Sequence, residues 1–251
     1  MAQEMTHNGV KVTIAKDYLE LSSLAAQMIL KRIEATPKFN LLLPTGTTPL
    51  GVYHILKDIA PRFFKHVTFF SMDEYCIGFG DQIKMIPETH PASYKLYMKQ
   101  NLFDAIRPSA SYFPGFENIS QSGHYDEFIK GEGGIDLCLN AMGEDGHTFG
   151  FNFPGTSRYA KTRLVRITGR TRSTNKRLSG FEIPDYAITI GLTTGMAAKE
   201  ILFLVSGERK ADILRKVIYA SEITQDIPAT LLRDHPHCHW IVDEKAACHL
   251  L

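Results

Sequence analysis

The chain has 251 residues, 44% of them hydrophobic and 22% charged, an ordinary composition for a water-soluble globular protein long enough to bury a full core. With 28 basic and 27 acidic residues its formal net charge is +1, so no whole-chain field attracts nucleic acid or an anionic membrane, and neither is expected as a partner. Cys76, Cys138, Cys238 and Cys248 are widely spaced, the first ten residues carry no apolar signal-peptide core, and apolar runs such as 201–205 are too short to span a bilayer, so a cytoplasmic location is expected.

In chain order, Val10–Ala15 reads as a strand, residues 18–33 as an amphipathic helix and Phe39–Leu43 as a second strand. Pro44-Thr45-Gly46-Thr47-Thr48-Pro49 ends that strand and opens a helix, with Thr48 as its expected N-cap and Pro49 in its first turn. Strands are then expected over 66–72, 135–141, 187–191, 201–205 and 240–242, and helices over 92–105 and 210–220. This β–α alternation, with strands apolar on both faces, predicts an α/β fold with a mainly parallel sheet flanked by helices. No repeat or linker divides residues 1–251, so one domain is expected. Ligands of such sheets sit beyond the carboxyl ends of the strands, which directs attention to the loops that follow strands.

Pro44-Thr45-Gly46-Thr47-Thr48-Pro49 lies at a helix N-terminus, where backbone N–H groups and the helix dipole favour an anion. Gly46 lets the backbone approach a phosphate, and Thr47 and Thr48 add hydroxyl donors. The same residues would also serve as a plain strand-to-helix turn. Ser71-Met72-Asp73-Glu74-Tyr75 follows the next strand, with Asp73 a candidate general base and Glu74 its supporting neighbour. Consecutive side chains of extended chain face opposite ways, so one of the two faces a cleft. A helix cap or solvated charges are the other readings of this pair.

Gly143-Glu144-Asp145-Gly146-His147-Thr148 follows the strand over 135–141. Asp145 and His147, two apart in a glycine-flanked turn, suit an orienting carboxylate–imidazole pair, and catalysis is the expected role. Residues 158–177 hold eight basic side chains and no acidic one. A small phosphorylated ligand suits this block better than nucleic acid, because guanidinium groups grip phosphate bidentately. Lys210, in Ser206-Gly207-Glu208-Arg209-Lys210, opens a helix after a strand and offers a second phosphate contact. His235-Pro236-His237-Cys238-His239 matches no common zinc spacing, and no metal is expected there.

Together these segments resemble the glucosamine-6-phosphate deaminase / 6-phosphogluconolactonase family over about residues 40–244, in the family's order. PTGTTP resembles its phosphate loop and GEDGH its catalytic turn. SMDEY, HPASYKLYM and TRSTNKR resemble the deaminase branch, and SGERKADIL either branch. The resemblance implies a Rossmann-like sheet with a lid segment over the active site, a phosphosugar substrate, no cofactor and no metal, and it leaves a homo-oligomer open. It implies conversion of glucosamine or galactosamine 6-phosphate and water into a ketohexose 6-phosphate and ammonia. Asp73 would move a proton between C2 and C1, and His147, oriented by Asp145, would open the sugar ring. Gly46, Thr47, Thr48, Arg177 and Lys210 would hold the phosphate.

One departure bears on the branch. Deaminases of the family read G-H-x-x-F-N-E-P after the catalytic turn. Here His147-Thr148-Phe149-Gly150-Phe151-Asn152-Phe153-Pro154 is one residue longer and puts Phe153 in the glutamate's place. Glu144 is then the carboxylate that could support His147 from the other side. GEDGHT followed by FPG is lactonase-like, so 6-phosphogluconolactone hydrolysis, with His147 activating water, is the alternative. A phosphosugar-binding sensor without turnover is the third reading.

Overall fold

Ile201, Phe203 and Val205 bury their side chains in one hydrophobic cluster, and Leu202 and Leu204 in another. A strand that is apolar on both faces needs cover on both, and helices supply it. The computed structural model describes residues 2–59, 61–118 and 124–250. In chain order its strands are β1 (Gln3–His7), β2 (Val10–Ala15), β3 (Phe39–Leu43), β4 (Val67–Ser71), β5 (Asp73–Ile77), β6 (Lys84–Met85), β7 (Ala110–Tyr112), β8 (Leu137–Ala141), β9 (Arg163–Arg166), β10 (Tyr186–Thr189), β11 (Glu200–Val205) and β12 (Cys238–Asp243). Its helices are α1 (Tyr18–Glu34), α2 (Thr47–Lys57), α3 (Tyr94–Met98), α4 (Asp104–Ile106), α5 (His124–Gly131), α6 (Gly169–Ser179), α7 (Leu192–Met196), α8 (Ala211–Tyr219) and α9 (Glu244–Ala247).

The main sheet runs β1-β2-β12-β11-β8-β3-β4-β7, parallel throughout except for the β1–β2 hairpin at its edge. Helix α1 starts where the Asp17 carboxylate accepts the Glu20 N–H at 2.9 Å, and it buries Leu21, Ala25, Ile29 and Ile33 at four-residue spacing. Each fully buried Leu or Ile contributes roughly 1.5–3 kcal/mol relative to exposure. The mainly parallel α/β architecture expected from the strand pattern is the one observed.

Four features differ from the sequence expectation. The strand expected over 66–72 ends at Ser71; Met72 is the crossing point, and Asp73 opens β5 in a second, antiparallel sheet ordered β6-β5-β10-β9. The strand expected over 187–191 is β10 and belongs to this second sheet. The helix expected over 92–105 is interrupted by a π-helical turn, Lys99–Phe103, between α3 and α4. Thr48 is not the N-cap of α2. Gly46 holds that position with φ +111°, a conformation only glycine adopts without strain, and the Thr48 hydroxyl is left for another partner.

The basic block folds into β9 and α6. Thr168 caps α6 by accepting the Thr171 N–H at 3.2 Å, and Gly180 ends it at φ +78°. Among the described residues, no helix is long and apolar enough to cross a membrane. Two of the three imidazoles of the 235–239 segment are separately engaged: His235 Nε2 bonds to the Ala198 carbonyl at 2.8 Å, and His239 Nε2 lies 2.6 Å from Glu200.

Candidate active site

The loops that leave the carboxyl ends of β3, β8 and β11 enclose, with the start of β5, α3 and α6, a cavity of about 980 Å³. That volume lies near the top of the usual range for small-molecule sites. Of the residues singled out in the sequence, Gly46, Thr47, Thr48, Asp73, Glu144, Asp145, His147, Arg177 and Lys210 all line it. Helix α6 forms one wall and carries Arg170 and Arg177, which face the cavity.

Asp73 sits at the switch between the two sheets, paired with Thr189 of β10. It is 4% exposed, and its carboxyl oxygens make no hydrogen bond with any described residue. Burial, with the neighbouring Glu74 charge adding to it, pushes its carboxyl well above the usual carboxylate range. Gly150 is obligatory beneath it: at φ +75°, a Cβ there would come 2.8 Å from Asp73 Oδ2 and 2.5 Å from Thr189 Oγ1.

Glu74 points away from the cavity and is not a neighbour in the chemistry. Its oxygens accept the Tyr75, Tyr94 and Lys95 N–H groups and the Ser93 hydroxyl, each at 2.8–2.9 Å. The carboxylate thus ties β5 to the N-terminus of α3, where negative charge is favoured. Burial still raises its pKa above the ordinary value, against those four hydrogen bonds.

His147 Nδ1 lies 2.5 Å from Asp145 Oδ1, and the His147 N–H donates to the same oxygen at 3.2 Å. Burial works against the Asp145 charge, but the bonds from His147 outweigh it and hold the carboxyl below its usual range. Asn140 braces the turn: its Oδ1 accepts the Phe149 N–H at 3.2 Å and its amide donates to Thr148 Oγ1 at 2.8 Å. Phe153 takes no part in proton chemistry and packs edge-on against the imidazole. Glu144 does not complete a group around His147. Its carboxylate stands 3.8 Å from the Arg170 guanidinium and acts electrostatically on Lys210.

Lys210 reaches across from β11's loop and donates to Thr48 Oγ1 at 2.9 Å. Burial pulls its ammonium down to about 8, with Glu144 and Asp243 opposing the shift. The loop before it is held by Asp243, which accepts the Ser206 hydroxyl and the Gly207 and Ala246 N–H groups. Arg177 is exposed on α6, with no ion pair to any described residue.

Sequence reading missed an aromatic wall. Tyr75, Tyr94, Phe151 and Phe153 pack against one another and against His147, with ring centroids 4.6–6.4 Å apart. The Tyr75 hydroxyl accepts from Tyr94 and from Asn175 Nδ2, each at 3.0 Å, joining α6 to β5 and α3. The one local signal was the HPASY segment; nothing near Tyr75 in sequence foretold Asn175, a hundred residues away.

A family model described as glucosamine-6-phosphate isomerases/6-phosphogluconolactonase matches residues 17–240. The chain belongs to that family. It is 38% identical over 244 residues to a glucosamine-6-phosphate deaminase of Shouchella clausii, covering 92% of this chain and 94% of that protein. It is 35% identical over 250 residues to glucosamine-6-phosphate deaminase 2 of Bacillus subtilis, covering 95% and 96%. Among solved structures, a monomeric glucosamine-6-phosphate deaminase superposes with a TM-score of 0.83 at 31% identity, covering 95% of this chain and 99% of that one. A 6-phosphogluconolactonase from Trypanosoma cruzi superposes with a TM-score of 0.72 at 19% identity, covering 95% and 96%, and so shares the fold. The Rossmann-like architecture of this family member follows from both.

Proposed function

We propose that this family member is an aminosugar-6-phosphate deaminase, converting glucosamine 6-phosphate, or its galacto epimer, and water into a ketohexose 6-phosphate and ammonia. The observation that carries the reading is the sharing of one cavity by a buried carboxyl with no hydrogen-bond partner among the described residues, Asp73, and a carboxylate-oriented imidazole, His147. Full-length relatives named as deaminases, at 35% and 38% identity, support it over the lactonase alternative. The whole chain acts as one catalytic unit in the cytoplasm.

The chemistry assigns each group a task. Gly46, Thr47, Thr48, Lys210 and Arg177 hold the phosphate, and orientation of this kind supplies several kcal/mol of barrier reduction. His147, kept in one tautomer by Asp145, moves the proton that opens the pyranose ring. Asp73 takes the C2 proton of the open aldehyde and returns it to C1. The resulting C2 imine adds water and loses ammonia. A carboxyl raised by burial is a stronger base for this step than an exposed one.

Ammonia release from glucosamine 6-phosphate and galactosamine 6-phosphate, with 6-phosphogluconolactone hydrolysis alongside, tests the proposal. Ammonia from either aminosugar, lost in Asp73→Asn, is the expected result. The lactonase reading keeps two observations in its favour, Phe153 in place of a glutamate and the GEDGHT turn followed by FPG, and lactone turnover without ammonia would establish it. Binding of hexose 6-phosphates with no turnover of any of the three would leave a sensor.

A further inference from the structure

Three tyrosine hydroxyls from three helices converge on the Pro44–Thr48 loop; Tyr18 and Tyr97 line the cavity beside it, and Tyr53 is buried beneath it. Tyr53 of α2 donates to the Pro44 carbonyl, Tyr97 of α3 to the Gly46 carbonyl at 2.7 Å, and Tyr18 of α1 to the Thr47 carbonyl at 2.8 Å. The C=O and N–H of a planar trans peptide point in opposite directions. Fixing the carbonyls of Pro44, Gly46 and Thr47 therefore fixes the N–H groups of Thr45, Thr47 and Thr48, turned away from the tyrosines. Those three N–H groups have no acceptor among the described residues, and all three residues line the cavity. Gly46, at φ +111°, is the joint that lets successive carbonyls turn to different tyrosines.

The supports are themselves held. The Tyr18 hydroxyl accepts the Gly51 N–H at 2.7 Å while it donates to Thr47, so both of its functions are committed. Gly51 allows this approach: a Cβ there would come 2.3 Å from Ser22 Oγ and 3.0 Å from Tyr18 Cζ. Tyr97 sits two residues before the π-helical segment, within which Asn101 Nδ2 donates to its carbonyl at 2.8 Å. Burial raises all three phenols, so they remain protonated donors across the working pH range.

We propose that Tyr18 and Tyr97, with Tyr53, are positioning residues that preset the Pro44–Thr48 backbone to receive the substrate phosphate, so that binding does not have to order the loop. This deepens the deaminase reading and rests on it for the identity of the substrate, though not for the phosphate itself. A preset loop lowers the entropic cost of binding, so its loss weakens affinity for phosphate.

The test uses the full chain with Tyr18→Phe, Tyr97→Phe and the double variant; Tyr53 is left intact because it is buried in the core. Inorganic phosphate is titrated by calorimetry, and KM and kcat are measured with glucosamine 6-phosphate. Each single variant is expected to weaken phosphate binding by about threefold to tenfold, the net worth of one hydrogen bond, with the loss falling on KM rather than kcat. Wild-type phosphate affinity in the double variant would overturn the proposal. So would a drop in melting temperature and kcat with KM and phosphate affinity unmoved, which is what a merely structural role produces. Weakened phosphate binding in a protein that releases no ammonia would support the positioning role and reject the deaminase reading. Failure of the wild type to bind phosphate would reject the positioning role.

Discussion

Phe153 meets the His147 ring edge-on, with centroids 5.2 Å apart and planes at 67°. It offers the imidazole packing without charge, so Asp145 is the only carboxylate bonded to His147 among the described residues. Asp145→Asn should therefore lower kcat by about 10²-fold or more, the scale of a lost general acid–base arrangement. Phe153→Ala removes one aromatic contact and should cost less than about tenfold. Steady-state kinetics on the two variants checks the order; a larger loss from Phe153→Ala would make packing, not the carboxylate, the orienting force.

Asp73 carries a cost of burial that the proposed chemistry would use. Its carboxyl is raised in the folded chain, by burial first and by Glu74 second. The folded state is thus penalised as pH rises above the unfolded carboxylate value of about 4, and the penalty is absent below it. Asp73→Asn should abolish ammonia release yet raise the melting temperature at neutral pH, by about 2–4 °C for each kcal/mol relieved. The gain should vanish near pH ~3, where both states hold the proton. In the wild type, the acid limb of kcat/KM should lie above the ordinary carboxylate range.

Lys210 titrates close to physiological pH because burial pulls it down to about 8. Below that value it is an ammonium able to grip the phosphate; above it the charge is gone. KM for the phosphosugar should rise between pH 7 and 9 with a smaller change in kcat. Lys210→Met should raise KM at pH 7 by about 10- to 100-fold, the range for a charge-assisted hydrogen bond, and should remove that pH dependence. A flat KM in the wild type would show that Lys210 does not carry the contact.

At the amino ends of the strands, away from the cavity, Glu200 accepts both arms of Arg32 and lies 2.6 Å from His239 Nε2. Burial opposes its charge, but Arg32 and then His239 hold the carboxyl below its usual range. That stabilisation is present above pH ~4 and is lost as pH falls through the lowered value. Glu200→Gln should lower the melting temperature at pH 7 by a few degrees, about 2–4 °C per kcal/mol at this size, and leave kcat and KM unchanged. Thermal denaturation at pH 7 and near pH 3 reads the difference, which should disappear at the lower pH.

Much of this was already legible in the residues. Val10–Ala15 and Phe39–Leu43 were read at their observed limits, because an alternating run and a run buried on both faces are each recognisable without distant information. The Asp145–His147 pair was legible because its two members lie within a few residues of each other, and the Pro44–Pro49 turn was legible as a strand-to-helix turn from its own residues. The second sheet was not, because its pairing of Asp73 with Thr189 spans more than a hundred positions. Nor was the fate of the two adjacent carboxylates: alternation required them to part, but only α3, arriving with Ser93 and the Tyr94 and Lys95 N–H groups, decided which was consumed as a helix cap and which stayed unpaired in the cavity. The sequence by itself determined the main sheet, the loops after its strands that line the cavity and the residue types in them. Tertiary structure alone decided that Gly46 rather than Thr48 caps α2, that Phe153 packs on His147, and that tyrosines from three helices hold one loop, because each depends on side chains meeting across space rather than along the chain.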